Sequence, residues 1–278
     1  MSVELPEAAI LAGQLDEVLP GKRVTSYDLR DIERMVKVGF IRSPADFRGL
    51  GERTVHDVTS RGNTIRVRFN GGMNLLIGPE YGGIIRYLEP GAEVPKYHLR
   101  LGFSDGAVLS VRITSMGVIS VLRDDELEGS YLYRRDFLGG VPPDSEEFTF
   151  RWFREVMQGR KQQIKPLLVG KGAVVVGLSN AAFQDALYRA GLHPKRRASD
   201  LSEGEMRALY DAIGVVIGER LRFGGKKGFV DLYGEPGGYV AAMGSNMRGE
   251  SCPRCGSAVE RLAHGGGHVY LCPGCQRL

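Results

Sequence analysis

The chain has 278 residues, of which 42% are hydrophobic and 25% are charged, as in globular proteins large enough for two domains and a small module. No apolar run reaches the length of a membrane span, and the acidic, proline-containing start differs from a signal peptide, so we expect a cytoplasmic protein. The formal net charge is only +4, but residues 1–150 hold 18 basic and 22 acidic residues, whereas residues 151–278 hold 19 and 11. This uneven charge favours a polyanionic partner for the second half.

The first region, residues 1–137, begins with a predicted helix and continues with short strands. Pro6 suits the first turn of a helix, and apolar residues recur at helical spacing over residues 6–18. The later runs are rich in branched residues or alternate in polarity, as in residues 64–69 and 107–113, and glycine-containing turns separate them. Several short strands at this spacing predict a β-sandwich or a flattened barrel, and we take the sandwich as the fold of this region.

The second region has helical patterns, and a short segment rich in glycine and proline at residues 139–145 separates it from the first. The clearest helices are predicted at residues 181–190 and 203–221. Residues 223–251 show little periodicity, and we expect a loop or weak hairpin there that becomes ordered on binding. The predicted fold class is therefore α+β, with domains at residues 1–137, 146–222 and 223–278.

All four cysteines lie near the C-terminus, as two Cys-x-x-Cys knuckles separated by the sixteen residues 256–271. Two knuckles at this separation are typical of a zinc ribbon, in which four thiolates surround a tetrahedral ion. Two disulfides are the alternative, which the absence of a secretory segment disfavours. We therefore predict a structural Zn²⁺ bound by Cys252, Cys255, Cys272 and Cys275.

The sequence VVVGLSNAAFQDALYRAGLHP at residues 174–194 closely resembles the helix–two-turn–helix of the formamidopyrimidine-DNA glycosylase/endonuclease VIII family. The stretches QIKPL at 163–167, DLYGEPGGY at 231–239 and ELPE at 4–7 resemble further elements of that family, and the ribbon resembles its finger. The resemblance implies a monomeric DNA N-glycosylase with AP-lyase activity. It implies that the protein binds damaged or distorted double-stranded DNA near the nucleoid, and acts in base excision repair.

The resemblance also implies which residues contact DNA. Asn180 would hold a phosphate at a helix N-terminus, where anions are favoured, and a helix cap is the alternative role for this residue. Gly177 would let the backbone approach the phosphate, and Lys165 would add a positive charge. The remaining candidates are the hairpin residue Arg61, the possible wedge Tyr81, and His268 beside the position of the finger's arginine.

In this family the amine exposed at the N-terminus attacks the sugar C1′ and forms an imine. The family begins M-P-E-L-P-E, whereas this chain begins M-S-V-E-L-P-E, so Val3 aligns with the nucleophilic proline. Val3 can act only if both preceding residues are removed, and Ser2 would present an amine displaced by one residue. Glu4 aligns with the carboxylate that transfers protons, and a carboxylate stabilised at a helix N-terminus is its alternative role.

Four elements depart from the family pattern. Asn63 stands in place of the hairpin lysine, and Gly267 stands in place of the finger's arginine. Residues 112–117 have no arginine at the position of the one that enters the opposite strand. The wedge loop, residues 78–83, has an acidic residue beside Tyr81. Two hypotheses therefore remain: a glycosylase with a remodelled active site, or a non-catalytic protein that binds kinked, abasic or branched DNA.

Overall fold

A computed structural model describes residues 3–79 and 82–278. The chain divides into two units: one holds the residues up to Leu138 with Phe223–Gly238, and the other holds Gly139–Arg222 with Tyr239–Leu278. The predicted third segment is therefore shared between the units. Its first part belongs to the first unit because Phe229 and Leu232 are buried in that unit's hydrophobic core.

The first unit is a β-sandwich, as predicted. One antiparallel sheet has the strand order β1-β6-β7-β5, and the other has the order β2-β3-β4-β8. The eight strands are β1 (Val24–Leu29), β2 (Val55–Arg61), β3 (Thr64–Phe69), β4 (Met73–Gly78), β5 (Gly83–Leu88), β6 (Leu99–Phe103), β7 (Val108–Ile113) and β8 (Val118–Arg123).

Among the described residues of this unit, three α-helices accompany the sandwich: α1 (Leu5–Val18), α2 (Ile32–Lys37) and α3 (Tyr131–Asp136). Helix α1 packs on β2 and β3, and it buries Leu11 and Leu15 on the face that the apolar spacing predicts. Short 3-10 helices lie at Pro44–Leu50, Asn70–Gly72 and Asp124–Gly129.

The second unit contains helices and one hairpin. Helices α4 (Phe150–Met157), α5 (Ile164–Leu168), α6 (Asn180–Ala190) and α7 (Glu203–Arg222) are followed by the antiparallel strands β9 (Glu260–His264) and β10 (Gly267–Leu271), with 3-10 turns at Ala198–Asp200 and Ser245–Met247. Helix α6 packs on α7, and both predicted helices are confirmed. Helix α6 ends where Gly191 adopts a left-handed conformation (φ +70°), which costs glycine little.

Within the described part of the chain, no helix has the length and apolar character that crossing a membrane requires.

Candidate functional site

Lys165 joins helix α5 to the β9–β10 hairpin of the second unit. Its side chain is only 5% exposed, and its Nζ donates a hydrogen bond to the carbonyl oxygen of His264 at 2.5 Å. Burial lowers the pKa of Lys165 because the charged form loses hydration. The contact holds this cation at the turn of the hairpin.

Asn180 is the first residue of α6 and contacts the other strand of the same hairpin. Its Nδ2 donates to the carbonyl oxygen of His268 at 2.5 Å, and its Oδ1 is buried without a hydrogen-bond partner among the described residues. Ser179 occupies the cap position, where its Oγ accepts a hydrogen bond from the backbone N–H of Ala181. The helix-cap role considered for Asn180 therefore falls to Ser179.

We call Lys165, Asn180 and the carbonyl groups of His264 and His268 the Lys165–Asn180 cluster. The hairpin turn lies directly against it, since a Cβ added to Gly267 would lie 3.5 Å from Asn180 Nδ2 and 4.0 Å from Lys165 Nζ. The imidazole of His268 itself is exposed. Gly177, three residues before the helix, has a φ of +91°, a backbone conformation that favours glycine.

His264 was not identified from the sequence as a site residue. Its ring Nε2 is buried and has no hydrogen-bond partner among the described residues. Burial lowers the pKa of His264, and the nearby charge of Lys165 lowers it further, so the ring is held neutral at the centre of a basic region. The available sequence signal was its position directly before the glycine turn between the two predicted strands.

The four cysteines form one metal-binding group, with all four sulfur atoms within 4.8 Å of one another. The Sγ atoms of Cys255 and Cys272 are 3.3 Å apart, and those of Cys252 and Cys275 are 3.8 Å apart. Tetrahedral Zn²⁺ with Zn–S bonds of about 2.3 Å requires S–S distances of about 3.8 Å. The donor set therefore fits a structural zinc ion.

The first unit contains a buried charge cluster at the start of α1. Glu4 is fully buried at the N-cap position, and Glu7 Oε2 accepts a hydrogen bond from the Glu4 backbone N–H at 3.1 Å. Lys226 Nζ lies 2.8 Å from Glu4 Oε1 and 4.0 Å from Glu7 Oε2. The Lys226 backbone N–H also donates to Glu7 Oε1 at 3.1 Å. Sequence reasoning missed Lys226 because the glycine-rich stretch around it has no periodicity.

Val3 lies directly before this cluster. Its side chain is buried in the hydrophobic core, and its backbone N–H donates to the carbonyl oxygen of Pro79 at 3.4 Å. Ser2 and Tyr81, which were also predicted site residues, lie outside the described residues.

Arg61 lies at the end of β2, where it pairs with Thr64 across the β2–β3 hairpin. The turn packs on the buried Asp136, which accepts a hydrogen bond from Thr64 Oγ1 at 2.5 Å. A Cβ added to Gly62 would lie 2.9 Å from Asp136 Cγ, so only glycine fits at this turn without a shift. Asn63, in place of the family's lysine, has a buried Oδ1 without a hydrogen-bond partner among the described residues.

Three family models match successive parts of the chain. They are the formamidopyrimidine-DNA glycosylase N-terminal domain at residues 3–113, the formamidopyrimidine-DNA glycosylase H2TH domain at 139–229, and the zinc finger found in FPG and IleRS at 249–278. The match of the first model begins at Val3.

The similarity to curated relatives and to solved structures covers 99% of this chain. The formamidopyrimidine-DNA glycosylase of Roseiflexus sp. (strain RS-1) is 32% identical, and that of Pelotomaculum thermopropionicum is 30% identical, each over 99% of both chains. The Lactococcus lactis Fpg in complex with DNA containing an abasic site is 25% identical, with a TM-score of 0.83 over 99% of this chain and 100% of that one. The complex of the same enzyme with DNA containing N7-benzyl-Fapy-dG has the same identity, TM-score and coverage.

Proposed function

The chain belongs to the formamidopyrimidine-DNA glycosylase family, and from this we infer that it is a DNA repair enzyme that removes damaged bases from double-stranded DNA. The activity is that of an N-glycosylase with AP-lyase action and a remodelled active site, in a monomer that works in the cytoplasm near the nucleoid. The observation that carries the proposal is the Lys165–Asn180 cluster, because it combines a cation, a helix N-terminus and a metal-supported hairpin in one unit.

The Lys165–Asn180 cluster is suited to a phosphate group of DNA. The N-terminus of the eleven-residue helix α6 supplies backbone N–H groups and the positive end of the helix dipole, which favour an anion. Lys165 supplies a full positive charge beside it. Contacts of this kind fix the position of the protein on the duplex but do not read the sequence.

The chemistry requires an amine that can attack C1′ of the damaged nucleotide. The attack breaks the bond from C1′ to the base, and the base leaves with a proton. The bond from C1′ to O4′ then breaks as the nitrogen forms a double bond to C1′. O4′ takes up a proton and the nitrogen loses one, so that the sugar ring opens and the imine is formed. Removal of a C2′ proton then breaks the bond to the 3′ oxygen. An α-amine suits the attack because its pKa is usually about 8, so part of it is neutral at physiological pH.

Val3 and Glu4 are the proposed reactive groups at this centre. Removal of Met1 and Ser2 would turn the Val3 N–H, now directed at the Pro79 carbonyl, into the free α-amine. The Glu4 carboxylate follows directly in the chain and is the proposed proton carrier, with Lys226 as its counter-ion. With Ser2 retained, the amine would be displaced by about 3.5 Å of backbone.

The second candidate function is non-catalytic binding of kinked, abasic or branched DNA. The Glu4–Lys226 pair favours it, because the Glu4 carboxylate is fully buried and already held in an ion pair with Lys226. The substitution of the hairpin lysine by Asn63 points in the same direction.

Borohydride trapping separates the two functions. The protein is incubated with duplex DNA that contains one abasic site, while binding is followed by anisotropy and the mature N-terminus is identified by intact mass. A covalent product that maps to the N-terminal peptide is expected for the lyase. Tight binding without a trapped product would overturn the imine chemistry and leave the binding function.

A further inference from the structure

The first unit contains a cavity of about 610 Å³. Its lining includes none of the predicted site residues that the structure describes. Residues of α2, of the segment 94–98 and of the C-terminal end of β7 surround it. Its volume lies within the range of about 300–1,000 Å³ that is usual for pockets that bind small organic molecules. The cavity is therefore large enough to be a binding site of its own.

The charges around this cavity are predominantly positive. Arg34, Lys96 and Arg112 line it, and no described carboxylate lies within 4.0 Å of any of these three side chains. Asp31 is the single acidic residue among the lining residues described, and it lies 3.8 Å from Nε2 of His98. Three cations without a carboxylate partner on one cavity are suited to a ligand with negative charge.

The cavity also has apolar walls and an oriented donor. Met35 and Ile113 are buried in its wall, and Phe40 is half-buried beside them. His98 Nδ1 accepts a hydrogen bond from the Ile113 backbone N–H at 3.1 Å, so the neutral ring carries its proton on Nε2. The apolar wall suits the face of a base, the ring N–H donor suits its polar edge, and the three cations suit the phosphate of the same nucleotide.

The position of the cavity within the chain indicates where this nucleotide comes from. Thr114 and Ser115 line it and begin the loop between β7 and β8, in which Met116 is 56% exposed. This loop is the one predicted to enter the strand opposite the lesion, and it lacks an arginine that could hold the unpaired base there. A base without its partner is also the least costly one to take out of the stack.

We propose that this cavity binds one nucleotide of the undamaged strand, turned out of the duplex opposite the lesion. The base contacts Met35, Phe40 and Ile113, and its phosphate contacts Arg34, Lys96 and Arg112. The inference rests on the proposed binding of damaged duplex DNA, but it does not require the imine chemistry.

The test uses 2-aminopurine, whose fluorescence rises when it leaves the stack, placed opposite an abasic analogue in duplex DNA. Binding of the full-length protein is followed by anisotropy in the same samples. We expect bound wild-type protein to raise the fluorescence, and we expect Arg34→Glu to reduce the extruded fraction about tenfold at saturating protein. Lys37→Glu is the matched control, because Lys37 is exposed on the same helix and does not line the cavity.

The outcomes distinguish this inference from the proposed function. Saturated anisotropy without a rise in fluorescence would overturn the inference while leaving DNA binding intact, and equal effects of Arg34→Glu and Lys37→Glu would also overturn it. Absence of any duplex binding would contradict the proposed function itself. The last arm uses free 2-aminopurine deoxynucleoside monophosphate. If the wild-type protein binds this nucleotide, Arg34→Glu does not, and duplex DNA gives no rise in fluorescence, the cavity is a site for free nucleotides. That result would overturn the proposal that the nucleotide comes from the undamaged strand.

Discussion

Lys226 provides the counter-ion for two carboxylates that are completely buried at the start of α1. Removal of a carboxylate from water is costly unless an opposite charge and hydrogen bonds replace its hydration. Here the ammonium group of Lys226 neutralises Glu4, and backbone N–H groups of Glu4 and Lys226 bind Glu7. The pair therefore matters for the stability of the first unit, whatever its part in chemistry.

We predict that Glu4→Gln lowers the free energy of unfolding by about 3 kcal/mol, because it removes the carboxylate that lies nearest to the half-buried Lys226 ammonium. Urea denaturation measures this change. Lys226→Met is the partner variant, and the double variant should lose less than the sum of the two single losses. Strict additivity would show that the two side chains do not interact in solution.

His98 should make the stability depend on pH. Burial lowers the pKa of His98 below its usual value of 6.5, so the folded protein keeps the ring neutral while the unfolded chain becomes protonated. The free energy of unfolding should therefore decrease as the pH falls below 6.5 towards the folded pKa. It should not change for this reason above 6.5.

We predict that His98→Asn makes this decrease shallower, because the amide can still accept the hydrogen bond from the Ile113 N–H but does not titrate. Unfolding in urea at pH 7.5, 6.5 and 5.5 measures the slope. The burial that lowers the pKa of His193 and His264 should sustain the remaining dependence. A slope identical to that of the wild type would refute the assignment to His98.

At the scale of elements, the β9–β10 hairpin connects the metal group to the predicted phosphate site. Cys272 directly follows β10, and the turn at the other end of the hairpin lies against Lys165 and Asn180. The zinc ion therefore supports the position of both side chains through the backbone of one hairpin. Loss of metal should affect DNA binding although no zinc ligand belongs to the Lys165–Asn180 cluster.

We predict that Cys272→Ser releases zinc, unfolds the hairpin and weakens duplex binding at least about tenfold, because metal binding provides the folding free energy of such a small module. Metal content is measured by mass spectrometry, and binding by anisotropy. Hydrogen exchange in the strands of the first unit serves as the control and should stay unchanged. Full zinc content in the variant would contradict the assignment of this ligand.

The elements of the second unit were predictable because local patterns determine them. Amphipathic spacing identified α6 and α7, and the spacing of the cysteines identified the hairpin between the knuckles. The contacts of the site were not predictable in the same way. Lys226 and Glu4 are 222 residues apart in the sequence, and Lys165 and His264 are 99 residues apart. No local sequence pattern predicts contacts between residues so far apart. Only the resemblance identified Lys165 and Asn180, and nothing in the sequence identified Lys226.

For the whole molecule, the structural division changes the distribution of charge. The first unit holds 20 basic and 21 acidic residues, a net charge of −1, and the second holds 17 and 12, a net charge of +5. The contrast is weaker than between residues 1–150 and 151–278, because Asp144, Glu146 and Glu147 belong to the second unit, whereas Phe223–Gly238 brings equal numbers of basic and acidic residues to the first. The second unit remains the basic one, and we expect it to dominate the electrostatic part of DNA binding.

We predict that Lys165→Met weakens binding to all duplexes alike and reduces the slope of log K against log salt by about 1, as expected when one phosphate contact is lost. Anisotropy titrations between about 50 and 200 mM salt measure this slope. Lys171→Met is the matched control, since Lys171 is exposed in the same unit and does not belong to the Lys165–Asn180 cluster. An unchanged slope in Lys165→Met would remove Lys165 from the phosphate contacts.

The first unit includes the late segment Phe223–Gly238, so this unit cannot be complete during synthesis until that segment has been made. Glu4 leaves the ribosome 222 residues before Lys226, an interval of about 10–40 s at typical rates of translation. Throughout that time the nascent sandwich must keep Glu4 and Glu7 without the lysine that neutralises them. A chain interrupted anywhere before Phe223 is thus an unfinished first unit, and quality-control proteases should remove it faster than they remove the full-length protein.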